Sequence, residues 1–220
     1  MRLIQNSGAD RVIDLVRQRL VPGGDLACVT PTFSLFAYAE LRDSLAKLDR
    51  VRLILPAADE NLDLLGGEGD RAARNRLQAR WLANQCAKWL STKVELRRAP
   101  GRVPQGAAVM STPDGTVDQV VLGSLAFSTD GLGLTPGNPM NLIQASESRD
   151  EAAQLARWLD QQWDALKSKP ESQAALVQVL NDIGQHRAPF TLYASILNHL
   201  FGNRGDEMDE ERIVKSATGI

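Results

Sequence analysis

With 220 residues, the chain can bury one sizeable hydrophobic core, alone or with a small appendage, and it is too short for two large domains. Its 43% hydrophobic and 24% charged residues exclude a disordered or fibrous chain. No apolar run has the length of a membrane-spanning helix or of a signal peptide, so we expect a cytoplasmic protein. Cys28 and Cys86 lack the spacing of a metal site and are expected to be buried thiols.

The net charge of −2 conceals an uneven distribution. The segment 71–102 contains nine basic residues and one acid, Glu95, which gives a local charge of +8. Such a concentration is typical of a surface that binds phosphate groups. The alternative is a solvated face whose arginines are neutralised by acids of the preceding loop, namely Asp59, Glu60, Glu68 and Asp70. The candidate nucleic-acid contacts are Arg71, Arg74, Arg76, Arg80, Lys88, Lys93, Arg97, Arg98 and Arg102.

The order of the predicted elements indicates an α/β fold. Apolar residues at helical spacing predict helices, whereas short apolar or alternating runs between turn residues predict strands. We predict helices at 12–20, 35–48, 71–90 and 151–166 and strands at 26–30, 51–56, 93–98, 105–110, 118–122 and 140–145. The last of these helices is anchored by Leu155, Trp158, Leu159 and Trp163. The turn residues Pro113–Gly115 join two of the strands into a hairpin. Together these elements predict a mixed sheet covered by helices on both faces.

The predicted compact domain covers residues 1–167. A small helical appendage follows at 168–220, with helices at 173–183 and 189–201. Each of these helices is too short to be stable alone, so we expect them to pack on the domain or on a part of the protein outside this sequence. The segment 206–220 has little to bury, and we expect the natural chain to continue after it.

Residues 105–132 resemble the signature region of the phospholipase D superfamily. The chain has Gln105-Gly-Ala107, a hairpin, then Gly123-Ser-Leu-Ala126 and a loop that ends in Gly-Leu. The family has His-x-Lys, a hairpin, then Gly-Ser-x-Asn and a loop that also ends in Gly-Leu. The resemblance extends over the predicted domain and implies the family's α/β fold. Gly123 and Ser124 are the retained motif residues, and both are also ordinary residues for a turn that leaves a strand.

The residues that carry the family's chemistry are replaced in this chain. The resemblance implies a histidine nucleophile, a second histidine that protonates the leaving oxygen, and lysine and asparagine that stabilise the phosphoryl oxygens. Gln105, Ala107 and Ala126 occupy the motif positions, and residues 1–185 contain no histidine. A glutamine amide is no nucleophile for phosphorus, and a methyl group cannot hold an anion. We therefore expect no catalytic residue, metal or cofactor, and we expect His186 and His199 to be structural or solvated.

A second, weaker resemblance concerns the C-terminal segment. Residues 192–202, the acidic stretch after them and residues 213–220 resemble the connector before the motor of bacterial superfamily-two helicases that carry an N-terminal phospholipase D-like domain. The resemblance implies an ATP-dependent helicase motor after residue 220. Because such helicases often occur in phage-defence systems, it also implies a defence context. The chain itself contains no Gly-Lys-Thr phosphate loop.

Three functional hypotheses follow from the sequence. The first is a non-catalytic module that binds nucleic acid, primarily DNA, for a motor in the same chain. The second is a protein interaction or homodimerisation module without affinity for nucleic acid. The third is a phosphodiesterase or nuclease with a rebuilt site. A steep fall of affinity with salt distinguishes the first hypothesis from the second, since phosphate contacts release counterions.

Overall fold

The computed structural model of the chain describes residues 1–57, 62, 64–67, 70 and 78–185. Within these residues seven strands form one sheet and five helices pack on it. The strands are β1 (Arg2–Ile4), β2 (Asp25–Val29), β3 (Arg50–Leu55), β4 (Val94–Arg98), β5 (Gly106–Ser111), β6 (Val117–Gly123) and β7 (Ile143–Ala145). The helices are α1 (Val12–Arg19), α2 (Leu35–Leu45), α3 (Gln78–Lys93), α4 (Arg149–Ala165) and α5 (Pro170–Gln185). The predicted helix at 189–201 and the first part of the one at 71–90 lie outside the described residues.

The strands are arranged in the order β1-β7-β6-β5-β2-β3-β4. The pairs β2–β3 and β3–β4 are parallel, whereas the pairs β2–β5, β5–β6, β6–β7 and β1–β7 are antiparallel. The predicted mixed sheet is therefore confirmed, and each of the six predicted strands is present. β1 was not predicted because it has three residues, of which only Ile4 is buried, and so short a segment has no readable alternation.

The two faces of the sheet bury two separate clusters of side chains. In β2, Leu26 and Cys28 point to one face, whereas Ala27 and Val29 point to the other. Helices α1, α2, α3 and α5 contribute to the cluster on the first face. Helix α4 is the described helix that covers the second face, which we call the α4 face, and its buried residues are Ala152, Ala156, Leu159 and Trp163. Helices thus cover both faces, as predicted.

Helix α4 is fixed at both ends. Ser148 is its N-cap, and the Ser148 hydroxyl accepts a hydrogen bond of 3.2 Å from the backbone N–H of Glu151. The last turn contains no basic residue. Instead, Arg97 of β4 donates from Nη1 to the carbonyl oxygens of Trp163 and Leu166, the latter at 2.9 Å. A positive charge at this end is favourable because the carbonyl groups at a helix C-terminus carry partial negative charge.

The hairpin between β5 and β6 closes as its turn residues predict. The backbone N–H of Thr112 donates to the carbonyl oxygen of Thr116 at 2.9 Å, and Asp114 accepts from the N–H of Thr116 at 3.0 Å. Gly115 has φ +80°, a conformation that glycine adopts without strain. The turn chemistry therefore explains why β5 and β6 pair directly.

Residue contacts divide the chain into two units, Met1–Gly184 and Gln185–Ile220. The sheet and its two buried clusters belong to the first unit. Helix α5 packs on its core, which is one of the two placements expected for the predicted appendage helix at 173–183. Leu176 and Leu180 are fully buried in the cluster of the first face. The Gln173 side chain donates to the carbonyl oxygens of Leu90 at 2.7 Å and Val94 at 3.0 Å, where α3 gives way to β4. The compact unit therefore extends past the predicted boundary at residue 167.

Candidate functional site

The positions of the sequence motif meet at one end of the sheet, which we call the motif end. β2, β3 and β6 finish there, and β5 begins there because it is antiparallel to β2 and β6. Gly106 of β5 lies opposite Gly123 of β6, and Ala107 lies opposite Val29 of β2. The segments 105–107 and 123–126 are therefore neighbours in space.

Gly123 and Ser124 shape the backbone where the chain leaves β6. Gly123 has φ +111°, and a Cβ atom at this position would lie 2.2 Å from the carbonyl oxygen of Leu142. The Ser124 backbone N–H donates to the Leu142 carbonyl at 2.8 Å, and the Ser124 hydroxyl accepts from the Leu142 N–H at 3.2 Å. Both retained motif residues therefore join β6 to the segment before β7 and stabilise the turn.

The three replaced motif positions differ in their surroundings. Gln105 is exposed, whereas Ala107 is 6% exposed and belongs to the buried cluster of the α4 face. Ala126 is partly exposed, and the next residue, Phe127, donates its N–H to the hydroxyl of Thr30 at 2.9 Å. The Ala126 segment is thus held against the end of β2. Neither alanine offers a group that can donate, accept or ionise.

Neither cysteine is available as a nucleophile, and the described residues contain no metal-binding cluster. Burial raises the pKa of the Cys28 thiol to about 12 and also raises the pKa of Cys86, so neither thiol ionises near neutral pH. Among the described residues there is no group of three His, Cys, Asp or Glu side chains that could hold a metal ion.

A buried polar cluster lies behind the motif end and was not predicted. Asp70 is 3% exposed, accepts a hydrogen bond from the hydroxyl of Thr129, and lies 3.5 Å from the hydroxyl of Ser34. Thr129 is also 3.1 Å from the hydroxyl of Thr135. Because Ser34 is the N-cap of α2, the Asp70 carboxylate lies near the positive end of that helix. Asp70 therefore connects the loop after β3 to the loop after β6.

Asp70 does not fit the alternative interpretation of the basic cluster, in which acids of the preceding loop neutralise its arginines. Its described partners are hydroxyl groups, and burial separates it from the solvent. Asp59, Glu60 and Glu68, the other acids of that interpretation, lie outside the described residues. In the sequence, nothing distinguishes Asp70 from the other loop acids, because its partners come from segments distant along the chain.

A groove opens on the α4 face at the motif end, and we call it the α4 groove. Its larger part has a volume of about 510 Å³ and lies between α4 and the segment 99–105 that connects β4 to β5. A smaller part of about 260 Å³ continues over β5 and β6 beside Ala107 and Leu122. Gln105 and Trp158 line both parts. The larger volume falls in the range of small-ligand sites, about 300–1,000 Å³.

The lining of the α4 groove is apolar with a few polar groups. Val29, Ile54 and Leu159 are among the apolar residues that line it. Arg102, Gln105 and Gln162 supply the polar side chains, and no acidic residue of the described chain lines either part. Within that part of the chain, Arg102 makes no hydrogen bond or ion pair. The groove therefore combines apolar walls with one positive charge that no acid of the described residues neutralises.

Trp158 is the large aromatic residue at the groove. Its side chain is 47% exposed, whereas Trp163, one turn and a half further along α4, is 5% exposed. Both tryptophans were predicted to anchor the helix on the core, and this prediction is wrong for Trp158. The difference follows from helical spacing: Ala152, Ala156, Leu159 and Trp163 form one stripe, and Trp158 lies beside it.

The described residues of the predicted basic cluster do not form one surface. Lys88 is exposed on α3, which packs on the first face, and Lys93 donates to the carbonyl oxygen of Leu48 at 3.3 Å. Arg97 is bound to the end of α4, and Arg98 donates to the carbonyl oxygen of Pro56 at 3.0 Å. Arg80 also has an interaction partner. Arg102 lines the α4 groove, and Arg71, Arg74 and Arg76 lie outside the described residues.

Comparisons with known proteins leave the family open. The chain matches no protein family, and no curated protein matches it in sequence. Among solved structures it is similar to TrmBL2, an archaeal chromatin protein whose structure shows a novel mode of DNA binding. The TM-score is 0.40 and the identity 9%, over 77% of this chain and 53% of TrmBL2, so the chain spans about half of that protein. A similarity of this size supports no inference about function.

None of the helices in the described residues is both long and apolar enough to cross a bilayer.

Proposed function

We propose that this unit is a catalytically inactive, phospholipase D-like module that binds nucleic acid at the α4 groove. The observation that carries the proposal is the pairing, at the motif end, of an exposed aromatic side chain, Trp158, with an arginine, Arg102, that has no partner among the described residues. Aromatic rings that stack on bases and basic groups that bind phosphates are the two elements of sequence-tolerant nucleic-acid binding.

The replaced motif residues support the inactivity. Gln105 borders the groove, and the methyl group of Ala107 lies on its floor, where the family's reactive groups would be expected. Residues 1–185 contain no histidine that could attack phosphorus. On this proposal, the site lies where the family carries out its phosphate chemistry and has the side chains of a binding site.

The electrostatics of the groove support an anionic ligand. Arg102 is a permanent cation, and no acid of the described lining competes with a phosphate for it. The remaining arginines of the predicted cluster, Arg71, Arg74 and Arg76, stay predictions for a longer contact with the phosphate backbone. A helicase motor in the same chain and a role in phage defence rest on the sequence resemblance alone, and we keep both as part of the proposal.

Binding is tested by fluorescence anisotropy with a labelled single-stranded DNA, its duplex and the matching RNA at several salt concentrations. We expect affinity to fall with salt, and we expect Arg102→Gln to flatten the slope by about one unit for one phosphate contact. The triple change of Arg71, Arg74 and Arg76 to Ala is expected to flatten it by up to about three units. Arg149→Gln is the matched control, because Arg149 is exposed at the start of α4 and does not line the groove. Absence of binding to all three probes would overturn the proposal.

The second candidate function is a protein interaction or homodimerisation module. It is favoured by exposed apolar side chains near β1, the edge strand: Leu3 is 55% exposed, Leu142 54% and Met140 85%. Apolar residues at an exposed edge are typical of a surface that contacts another chain. Light scattering that shows a dimer, and a monomer after Leu3→Ser and Leu142→Ser, would support this function, whereas a monomer at tens of micromolar would remove it.

A further inference from the structure

We infer that the α4 groove accepts one unpaired base of a single-stranded nucleic acid, stacked on Trp158, with the adjoining phosphate at Arg102. This inference rests on the proposed function and names its ligand. It predicts that the groove distinguishes single strands from duplexes, which the charge of the surface alone would not do.

The first reason to expect a stacked base is the environment of Trp158. Two described tryptophans are about half exposed, Trp81 at 49% and Trp158 at 47%. The guanidinium carbon of Arg42 lies 4.9 Å from the ring centroid of Trp81, so that ring already has a cation partner. Trp158 has neither an aromatic nor a cation partner among the described residues. Its ring is therefore available to a flat ligand.

The second reason to expect a stacked base is the shape of the groove. The ring of Trp158 borders a concave space with apolar walls, and the larger part of that space is about 510 Å³. A planar, weakly polar ring is the group that such a space buries most favourably, since it fills the groove and stacks on the tryptophan at once. The bases of a duplex are already stacked and paired, so they do not reach a tryptophan inside a groove. An unpaired base can enter the groove and stack on the ring.

The polar groups at the groove match the rest of a nucleotide. Gln105 and Gln162 carry amides, which donate and accept hydrogen bonds and can therefore satisfy the edge of any base. Arg102 provides a charged donor for the phosphate that follows the base. Because no described acid lines the groove, a neutral ring with a negative substituent is electrostatically favoured over a cationic ligand. A free mononucleotide has the same chemistry, so the test must separate it from a strand.

The experiment compares the whole chain with its Trp158→Ala, Trp158→Phe and Trp81→Ala variants. The probes are a single-stranded oligonucleotide, the same sequence as a duplex, and the corresponding mononucleotides. We expect Trp158→Ala to weaken single-strand binding by about fivefold or more, which is the effect of losing one base–aromatic stack. Trp158→Phe should restore part of the affinity, and Trp81→Ala, an equally exposed tryptophan, should leave it unchanged. Duplex binding should be weaker and insensitive to Trp158.

The outcomes separate this inference from the function on which it rests. Two results would overturn the base site: salt-dependent binding that prefers duplex, or an equal loss of affinity in the Trp158→Ala and Trp81→Ala variants. Either result would leave the proposed nucleic-acid module intact. No binding to any probe would overturn both. Mononucleotides that bind as tightly as the strand would show a nucleotide pocket instead of a strand site. If Trp158→Ala abolishes self-association in light scattering and leaves DNA binding unchanged, the groove is a protein interface and the inference is wrong.

Discussion

The guanidinium of Arg97 lies over the indole ring of Trp163, with 4.3 Å between the guanidinium carbon and the ring centroid. The same side chain donates to the carbonyl oxygens of Trp163 and Leu166, where α4 ends. A residue that the sequence assigns to a nucleic-acid surface thus holds the helix that forms one wall of the α4 groove. Its neighbour in that assignment, Arg102, lies at the groove itself.

The first prediction separates these two arginines by stability. Arg97→Ala removes charged hydrogen bonds and a cation–π contact, so we expect it to lower the free energy of unfolding by about 2 kcal/mol. Arg102→Ala removes an exposed side chain without described partners and should change it by less than about 0.5 kcal/mol. Urea unfolding of both variants measures the difference. Equal effects would contradict the structural role of Arg97.

The second prediction concerns the buried carboxylate behind the motif end. Asp70→Asn and Thr129→Val each break the hydrogen bond between these residues, and we expect each to destabilise the protein by about 1–3 kcal/mol. Because both remove the same interaction, the double variant should cost less than the sum, with a coupling energy of about 0.5–3 kcal/mol. Strictly additive effects in denaturant unfolding would show that the two side chains act independently.

The third prediction tests the retained motif glycine. Gly123→Ala places a methyl group 2.2 Å from the Leu142 carbonyl oxygen at φ +111°, and we expect a loss of about 3 kcal/mol or more. Gly115→Ala is the control, because Gly115 also has positive φ, +80°, but no atom lies within 4 Å of the added methyl group. That variant should lose about 1–2 kcal/mol. Thermal unfolding gives both values, and a milder effect at Gly123 than at Gly115 would refute the assigned role.

The fourth prediction is that the purified chain cleaves neither DNA nor a phosphodiester reporter. Restoring Gln105→His and Ala107→Lys together should not produce activity, because position 126 still lacks the asparagine and residues 1–185 offer no second histidine. Ala107 is 6% exposed, so a lysine there must bury an ammonium group and should also destabilise the protein. Turnover that survives repurification, in the natural chain or in the variant, would sink this prediction.

Local pattern determined much of the fold. Short apolar or alternating runs between turn residues located the segments of β2–β7, since a buried strand needs only a few apolar residues in succession. The Pro113–Gly115 turn likewise fixed the pairing of β5 with β6, because so short a turn places the two strands it joins side by side. The sequence also identified Gln105, Ala107 and Ala126 at the motif positions, because the chemical nature of a side chain can be read without the fold.

The helices were predicted less fully. Helical spacing located α4, and yet it did not separate Trp158 from Trp163 until the sheet defined which stripe of the helix is covered. Helix α5 was assigned to an appendage because its own sequence says nothing of the Leu90 and Val94 carbonyl groups to which Gln173 donates. Burial of a helix depends on the surface it meets, and that surface comes from other parts of the chain.

Only the tertiary structure determines which groups each charged side chain contacts. The sequence contains a run of basic residues, but Arg97 neutralises the end of a helix whose Trp163 is 66 positions away, and Asp70 accepts from Thr129, 59 positions away. A charge acts on the groups within a few ångströms of it, and the sequence gives separation along the chain rather than distance in space. For that reason the basic residues could be identified from the sequence, whereas their division between the surface of α3, the end of α4 and the α4 groove could not.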